Sequence, residues 1–410
     1  MVSSGLRSPK FQESSDLRIA ALSPFVDRRH GTERALAETI ERLARVYRCE
    51  VHLYSQCVQD LAVATTRGVP SPSPQPGIIW HRVPSLPGPH LLQFLFWLLA
   101  NRLCRLRDRW FRGIRFDAVF SPGINATDAN LVLVHAVFHR LKELQDSRGC
   151  GSLRALHRSL YYHLLRVLEN RVYRHKNVRL AAVSKHTAHQ LSRYFGRQDV
   201  AIVPNGVDVS HFSPSARIQR QGQARQTLSC PEGVPLLLLV GNDLRNKGLP
   251  TLLQALKQCR DLPWHLCVVG SDSPEDYSAE IEQRQFQARI TFAGETADIL
   301  AYYAAADIYV APSLEDSFNL PALEAMASGL PVVLSSSAGM SDYLKDGIDG
   351  LVLRNPQDAS ELAAALQRLL ADPSLCATIG ANASQTAALF SWDRHAEEIH
   401  RLLRDSVRHP

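Results

Sequence analysis

The chain has 410 residues, 45% hydrophobic and 21% charged, and its 46 Lys and Arg exceed its 40 Asp and Glu to give a formal net charge of +6. Such a length is too great for one ordinary core and predicts two large domains of a soluble globular protein. The small positive excess suits a polyanionic ligand or an anionic membrane surface and does not call for nucleic acid. No run approaches the ~18 apolar residues of a membrane span. The eight cysteines form neither C-x-x-C pairs nor a Cys/His cluster with metal spacing, so they read as reduced packing residues of a cytoplasmic protein.

Residues 1–17 lack the apolar core of a signal peptide and are expected to be a disordered tail. A first α/β domain is expected over 18–212. Arg18 to Phe25 reads as a strand, followed by the loop VDRRHGTER and a helix with Leu36, Ile40, Leu43 and Tyr47 on one stripe. Gly31, at that helix start, permits close backbone approach to a phosphate, and Arg28, Arg29 and Arg34 add positive charge. A strand over Cys49 to Cys57 precedes a long Pro-, Gly- and Ser-rich loop, Thr65 to Pro89. Next, LLQFLFWLLA (91–100) runs into an arginine-rich segment ending at Arg115. Two readings of 91–115 stand: a core helix with one solvated basic face, or a helix lying in a membrane interface. Further strands are expected at Asp117 to Pro122 and Leu131 to Phe138, the second containing His135. Leu153 to His175 reads as a long helix, and short strands at Leu180 to Ser184 and Val200 to Pro204 flank a helix from Thr187 to Phe195. The polar stretch 213–233 reads as a linker.

A second α/β domain is expected over 234–390. It opens with Leu236 to Val240, five apolar residues suited to a strand buried on both faces. The loop Gly241 to Gly248 brings Asn242, Arg245 and Lys247 to the start of the next helix, a geometry that suits a diphosphate. Strands recur at Leu266 to Gly270, Ile290 to Ala293, Ile308 to Ala311, Val332 to Ser335 and Gly350 to Leu353, with helices between them. This alternation predicts parallel sheets covered on both faces, with ligands at the carboxyl ends of the strands. Residues 391–410 read as a helix that crosses back to the first domain.

The stretch PSLEDSFNLPALEAMASGLPVVL, Pro312 to Leu334, carries the most chemistry. It reads as strand end, loop, then a helix from near Pro321. Its amino end offers unpaired amides to an anion, while Asp316 in the loop and Glu324 one turn into the helix can accept hydrogen bonds from hydroxyls. Phosphate plus polyol describes a sugar nucleotide. The pattern of an acid, Ser-Phe, and then Leu-Pro-x-Leu-Glu-Ala-Met-Ala-x-Gly-x-Pro-Val-Val resembles the acid-to-acid motif of family 4 glycosyltransferases. HGTER resembles that family's glycine-containing loop, and Pro-Asn-Gly-Val-Asp (204–208) resembles the run that closes its first domain. The chain departs from the pattern at Asp316, where the family has Glu, at Asn319, where it has Gly, and at Asn242, where it has Arg.

The resemblance implies two Rossmann-like domains facing across a cleft, the GT-B fold. It also implies retaining, metal-independent transfer of a hexose from a nucleoside diphosphate sugar to an acceptor hydroxyl, with no cofactor. In that frame Asp316 holds the sugar and Glu324 the ribose, while His135 at its strand end reaches the sugar, with His139 as the alternative if the register differs. Lys247, Arg245 and the amides of Phe318, Asn319 and Leu320 stabilise the departing diphosphate, and Gly31, Gly241 and Asn242 line the donor site. Two other readings remain: a nucleotide-sugar-binding protein without catalysis, and a sugar-nucleotide epimerase on the same fold. A nicotinamide oxidoreductase is disfavoured, since no strand is followed by G-x-G-x-x-G.

Overall fold

Two parallel sheets organise the computed structural model, which describes residues 17–65, 77–146 and 153–408. Residues 1–16 of the expected amino-terminal tail and the middle of the long loop after Thr65 lie outside the described residues, while Leu17, expected in that tail, is buried in the core. In the first sheet the order is Ala201–Ile202, Arg179–Ala182, Leu131–Val134, Ala118–Pro122, Arg18–Leu22, Glu50–Ser55, Ile78–Arg82 and Ala64–Thr65. In the second it is Ile290–Gly294, His265–Val269, Leu236–Val240, Ile308–Ala311, Val332–Ser335 and Leu351–Leu353. All pairings within both sheets are parallel.

Burial explains why the strands read so plainly. Leu236 to Leu239 are all buried, as expected of a strand covered on both faces. The helix Gly31–Arg45 buries Leu36, Ile40 and Leu43 against the first sheet, the 3.6-residue stripe of the sequence. In the second sheet the first strand, Leu236–Val240, lies between His265–Val269 and Ile308–Ala311, so the chain reverses direction across the sheet at its middle. The crevice at the carboxyl ends there is where α/β sheets of this kind hold ligands. It is formed by the two loops singled out above, after Val240 and after Ala311.

Three sequence expectations are corrected. The supposed linker contains the helix Pro214–Thr227, with Ser213 accepting from the Ala216 amide as its cap and Pro214 in its first turn. This helix is fixed to the second domain: Arg217 donates to the Ala306 carbonyl at 2.7 Å and Arg225 pairs with Asp307 at 3.0 Å. Its polarity misled because it docks mainly through arginine hydrogen bonds, with Ala224 its one buried residue. The loop expected from Thr65 to Pro89 contains the strand Ile78–Arg82, paired with Glu50–Ser55. The strand expected over Leu131 to Phe138 ends at Val134, leaving His135 just beyond it, and the helix Phe138–Asp146 follows. The helix expected within 91–115 is present as one continuous element, His90–Arg112, ended by Gly113 in the left-handed conformation.

The last helix, Trp392–Arg408, does cross back to the first domain: Arg42 pairs with Asp393 at 2.6 Å, and the rings of Tyr47 and His400 stack. Its start is seated on the Pro-Asn-Gly-Val-Asp run, where Val207 forms a bridge with Ser391. A Cβ on Gly206 would lie 2.2 Å from the Trp392 amide nitrogen, so only glycine allows this crossing. Among the described residues no helix is long and apolar enough to cross a membrane.

Candidate active site

The loops after Val240 and Ala311 are stitched to each other. Asn246 donates through its side chain to the Glu315 carbonyl at 2.8 Å, and its own carbonyl accepts from the Leu314 amide at 2.7 Å. Gly248, at φ 84°, lets the second loop pass, since a Cβ there would meet the Pro312 carbonyl oxygen at 2.1 Å. The stitching brings Lys247 to Asp316, Nζ to Oδ2 at 2.5 Å, with both side chains mostly shielded from water. The second oxygen of Asp316 accepts from the Phe318 amide at 3.3 Å. A lysine is thus held by a carboxylate at the mouth of the crevice, and Coulomb energy favours an anion beside it.

Asn319 is the turning point of the loop. It adopts φ 71° and ψ 69°, a left-handed conformation in which asparagine is tolerated better than most residues, and its Oδ1 accepts from the Ala322 amide at 3.1 Å. The helix Leu320–Ala327 is therefore capped by the residue that stands where the family pattern has glycine. Among the described residues the amides of Asn319 and Leu320 donate to no protein group, whereas that of Phe318 is occupied by Asp316. The expected trio of anion-facing amides is reduced to two. Replacing Asn319 with alanine should cost about 2 kcal/mol, from the lost cap and the strained φ, while Asn319→Gly should cost only about a few tenths. Urea unfolding of the two variants checks this; equal stabilities would contradict it.

Glu324 lies at 3% exposure on the inner side of that helix. Its Oε1 accepts from Arg34 of the first domain at 2.5 Å and its Oε2 from the buried Tyr303 hydroxyl at 2.9 Å. Nearby, a Cβ on Gly31 would contact Leu320 Cδ1 at 3.4 Å. The amino ends of two helices, Gly31–Arg45 and Leu320–Ala327, thus face each other across the cleft. The first has no side-chain cap, and among the described residues the Gly31 and Thr32 amides donate to no group. Two positive helix ends, Lys247 and Arg34 surround a space flanked by Asp316 and Glu324.

Other expected site residues are placed differently. Arg245 is exposed, and among the described residues no side-chain hydrogen bond or ion pair holds it. Asn242 uses its Oδ1 to accept from the Ser271 amide at 3.0 Å, bracing one loop against the next. Gly241 lies under the Lys247 side chain, where a Cβ would come within 2.7 Å of Cε. Phe318 is a core side chain. His135 has a buried Nε2 with no partner, and burial, with His395 as a second cause, lowers its pKa to about 3, so the ring is neutral. No contact joins it to Asp316, Lys247 or Glu324. His139 is bound to Glu169, Nδ1 to Oε2 at 2.6 Å, and Glu169 also accepts from the Phe138 and His139 amides, which holds the start of that helix.

Glu315 was missed. At 6% exposure it accepts from Arg140 at 3.0 Å, His186 at 2.9 Å and Gln190 at 2.8 Å, all from the first domain. The signal was the doubled acid Glu315-Asp316 together with His186 and Gln190 one turn apart on a helix. Burial works to raise the Glu315 pKa, but the hydrogen bonds led by His186 outweigh it and leave it below the ordinary carboxylate value. Burial likewise works to lower His186, and Glu315 outweighs it and raises it. The Glu315 contribution is present above pH 4.5 and lost as pH falls through its depressed pKa; that of His186 is present below pH 6.5 and lost as pH rises through its elevated one. The contact between domains should therefore loosen from neutral to alkaline pH. Small-angle scattering across that range should show expansion, which His186→Gln should abolish; an unchanged profile in both proteins would contradict it.

Comparison with known proteins gives the family and the fold. Residues 29–211 match the model described as Glycosyltransferase Family 4, and residues 221–386 match that described as Glycosyl transferases group 1. The chain belongs to the family 4 glycosyltransferases. Relatives named D-inositol 3-phosphate glycosyltransferase include that of Nocardiopsis dassonvillei, 33% identical over 239 residues, or 54% of each chain. That of Salinispora arenicola is 34% identical over 224 residues, 51% of this chain and 50% of the relative. The chain thus spans about half the length of the curated relatives it matches. Among solved structures, the lipopolysaccharide-biosynthesis glycosyltransferase WaaG aligns with TM-score 0.74 at 19% identity, covering 94% of this chain and 99% of its own. Anabaena HepE, solved with UDP-glucose, aligns with TM-score 0.68 at 20% identity, covering 95% and 100%. These likenesses show the fold, which is GT-B. The stretch that resembles the family's acid-to-acid motif runs from Asp316 to Glu324 and lies inside the matched range 221–386.

Proposed function

We propose that the chain transfers a hexose from a nucleoside diphosphate sugar to an acceptor hydroxyl, with retention and without a metal. The single observation that carries this reading is the meeting of the Gly31–Arg45 and Leu320–Ala327 helix ends beside the Lys247–Asp316 pair. Unpaired amides and a lysine aimed at one place form an anion site, and Asp316 and Glu324 beside it supply acceptors for hydroxyls. HepE, of the same fold, is solved with UDP-glucose, which supports a nucleotide-sugar donor here.

The mechanism follows charge. As the glycosidic bond breaks, the sugar becomes cationic and the diphosphate gains negative charge, which Lys247 and the Asn319 and Leu320 amides stabilise most in the transition state. Donor phosphate competes with Asp316 for Lys247, leaving Asp316 able to accept from sugar hydroxyls. Glu324 turns its Arg34-bound oxygen to the ribose, and neutral His135 offers a donor and an acceptor to the sugar. Incubation with UDP-, GDP- and ADP-sugars, with and without EDTA, should release a nucleoside diphosphate from one of them at a rate that EDTA leaves unchanged. Binding without release would favour a non-catalytic sensor, interconversion of the sugar would favour an epimerase, and loss of release on EDTA treatment would remove metal independence.

A further inference from the structure

The helix His90–Arg112 presents an outer face that none of the described residues covers. Leu92, Leu95, Leu99, Leu103, Leu106 and Trp110 follow one another at intervals of three and four residues, which places them on one helical stripe, and all are exposed. Trp110 is 77% and the adjoining Phe111 82% exposed. The opposite face is firmly held: Trp97 donates to the Asn125 carbonyl at 3.0 Å, and the buried Arg105 pairs with Asp128 at 2.8 Å. The exposed stripe is thus a fixed surface of the folded protein.

Charge identifies its occupant. Arg102, Arg109 and Arg115 are exposed and have no acidic partner among the described residues. The single acid of the helix, Asp108, is buried and shared by Tyr54, His81 and Arg107. An apolar stripe flanked by free arginines, with aromatic side chains at one end, matches the boundary between lipid headgroups and acyl chains of an anionic bilayer. A second copy fits worse, because a symmetric pairing of this face would bring the arginine rows together. The neighbouring helix Leu153–Tyr173 touches this one through the edge-to-face pair Phe94–Tyr161 and exposes Leu160 and Val167.

We propose that the face running from Leu92 to Phe111 docks the protein on an anionic lipid bilayer. Asn125 and Asp128, which hold the helix, lie in the loop after the strand Ala118–Pro122, at the carboxyl edge of the first sheet. Docking therefore sets that edge near the lipid surface.

Trp110 provides the test. Of the five tryptophans, Trp97, Trp264 and Trp392 are buried and Trp80 is half-buried, so Trp110 alone is strongly exposed. The full chain should sediment with phosphatidylcholine vesicles containing phosphatidylglycerol, not with phosphatidylcholine alone, and added salt should release it. Its tryptophan emission should shift to the blue on binding, and Trp110→Ser should remove the shift. Replacing Arg102 and Arg109 with glutamine should weaken partitioning about fivefold per arginine. Replacing Leu99 and Leu103 with glutamine should weaken it about tenfold or more. All four positions are exposed, and unchanged thermal melts would show the variants folded. No binding to anionic vesicles at low salt, or binding that these variants leave intact, would overturn the proposal. So would an emission shift that follows protein concentration in place of lipid, since that would assign the face to a second copy.

Discussion

Lys247→Ala should lower kcat by about 10²–10³-fold while leaving the fold unchanged, the scale seen when one charge-stabilising donor is removed from an active site. The side chain sits over Gly241 and reaches Asp316, at the carboxyl edge of the second sheet, and the core does not depend on its ammonium group. On the proposed mechanism, its loss removes a cation that meets negative charge as the leaving group departs. The effect should therefore fall mainly on kcat, with KM for the donor changing less. Steady-state release of nucleoside diphosphate checks this. Lys247→Arg should recover only part of the rate, because a planar guanidinium does not reproduce a point charge. A fully active alanine variant would remove Lys247 from the site.

Glu324 should behave differently, because on the proposed mechanism it serves the reaction as well as the fold. Truncation in Glu324→Ala leaves the largely buried Arg34 guanidinium and Tyr303 hydroxyl without their partner. Breaking a buried pair in this way typically costs about 3–5 kcal/mol, and the partial exposure of Arg34 places the expectation at the lower end. Glu324→Gln keeps the shape and one acceptor, so it should fold well and still lose most turnover, as the ribose loses a charged acceptor. Thermal unfolding and donor binding measured on both variants separate the two roles. A glutamine variant with wild-type donor affinity and turnover would leave Glu324 with a structural role only.

Much of this was legible in the sequence. Where residues are buried on both faces, as from Leu236 to Leu239, or alternate in a clear stripe, as along Gly31–Arg45, local pattern and tertiary structure agree. The acid-to-acid stretch was legible for a further reason: its loop, helix start and carboxylates are contiguous in sequence. What was hidden depended on partners distant along the chain. Nothing local tells that Arg34 meets Glu324, that Glu315 gathers three groups from the other domain, or that Asn242 braces a neighbouring loop. The helix Pro214–Thr227 was hidden because its arginines hydrogen-bond to carbonyls, which looks like solvation in composition. Asn319 was legible only in part: its departure from glycine was visible, and its capping of the helix that it begins was not.

The account rests on a pyrophosphate being held where the two helix ends converge. The most direct test is a crystal structure of the protein with the nucleoside diphosphate whose sugar it accepts. The phosphates should lie within hydrogen-bond distance of the Leu320 amide and Lys247, close to Gly31, with the ribose on Glu324. Phosphates bound elsewhere, with Lys247 still on Asp316 and the space between Gly31 and Leu320 closed, would contradict it.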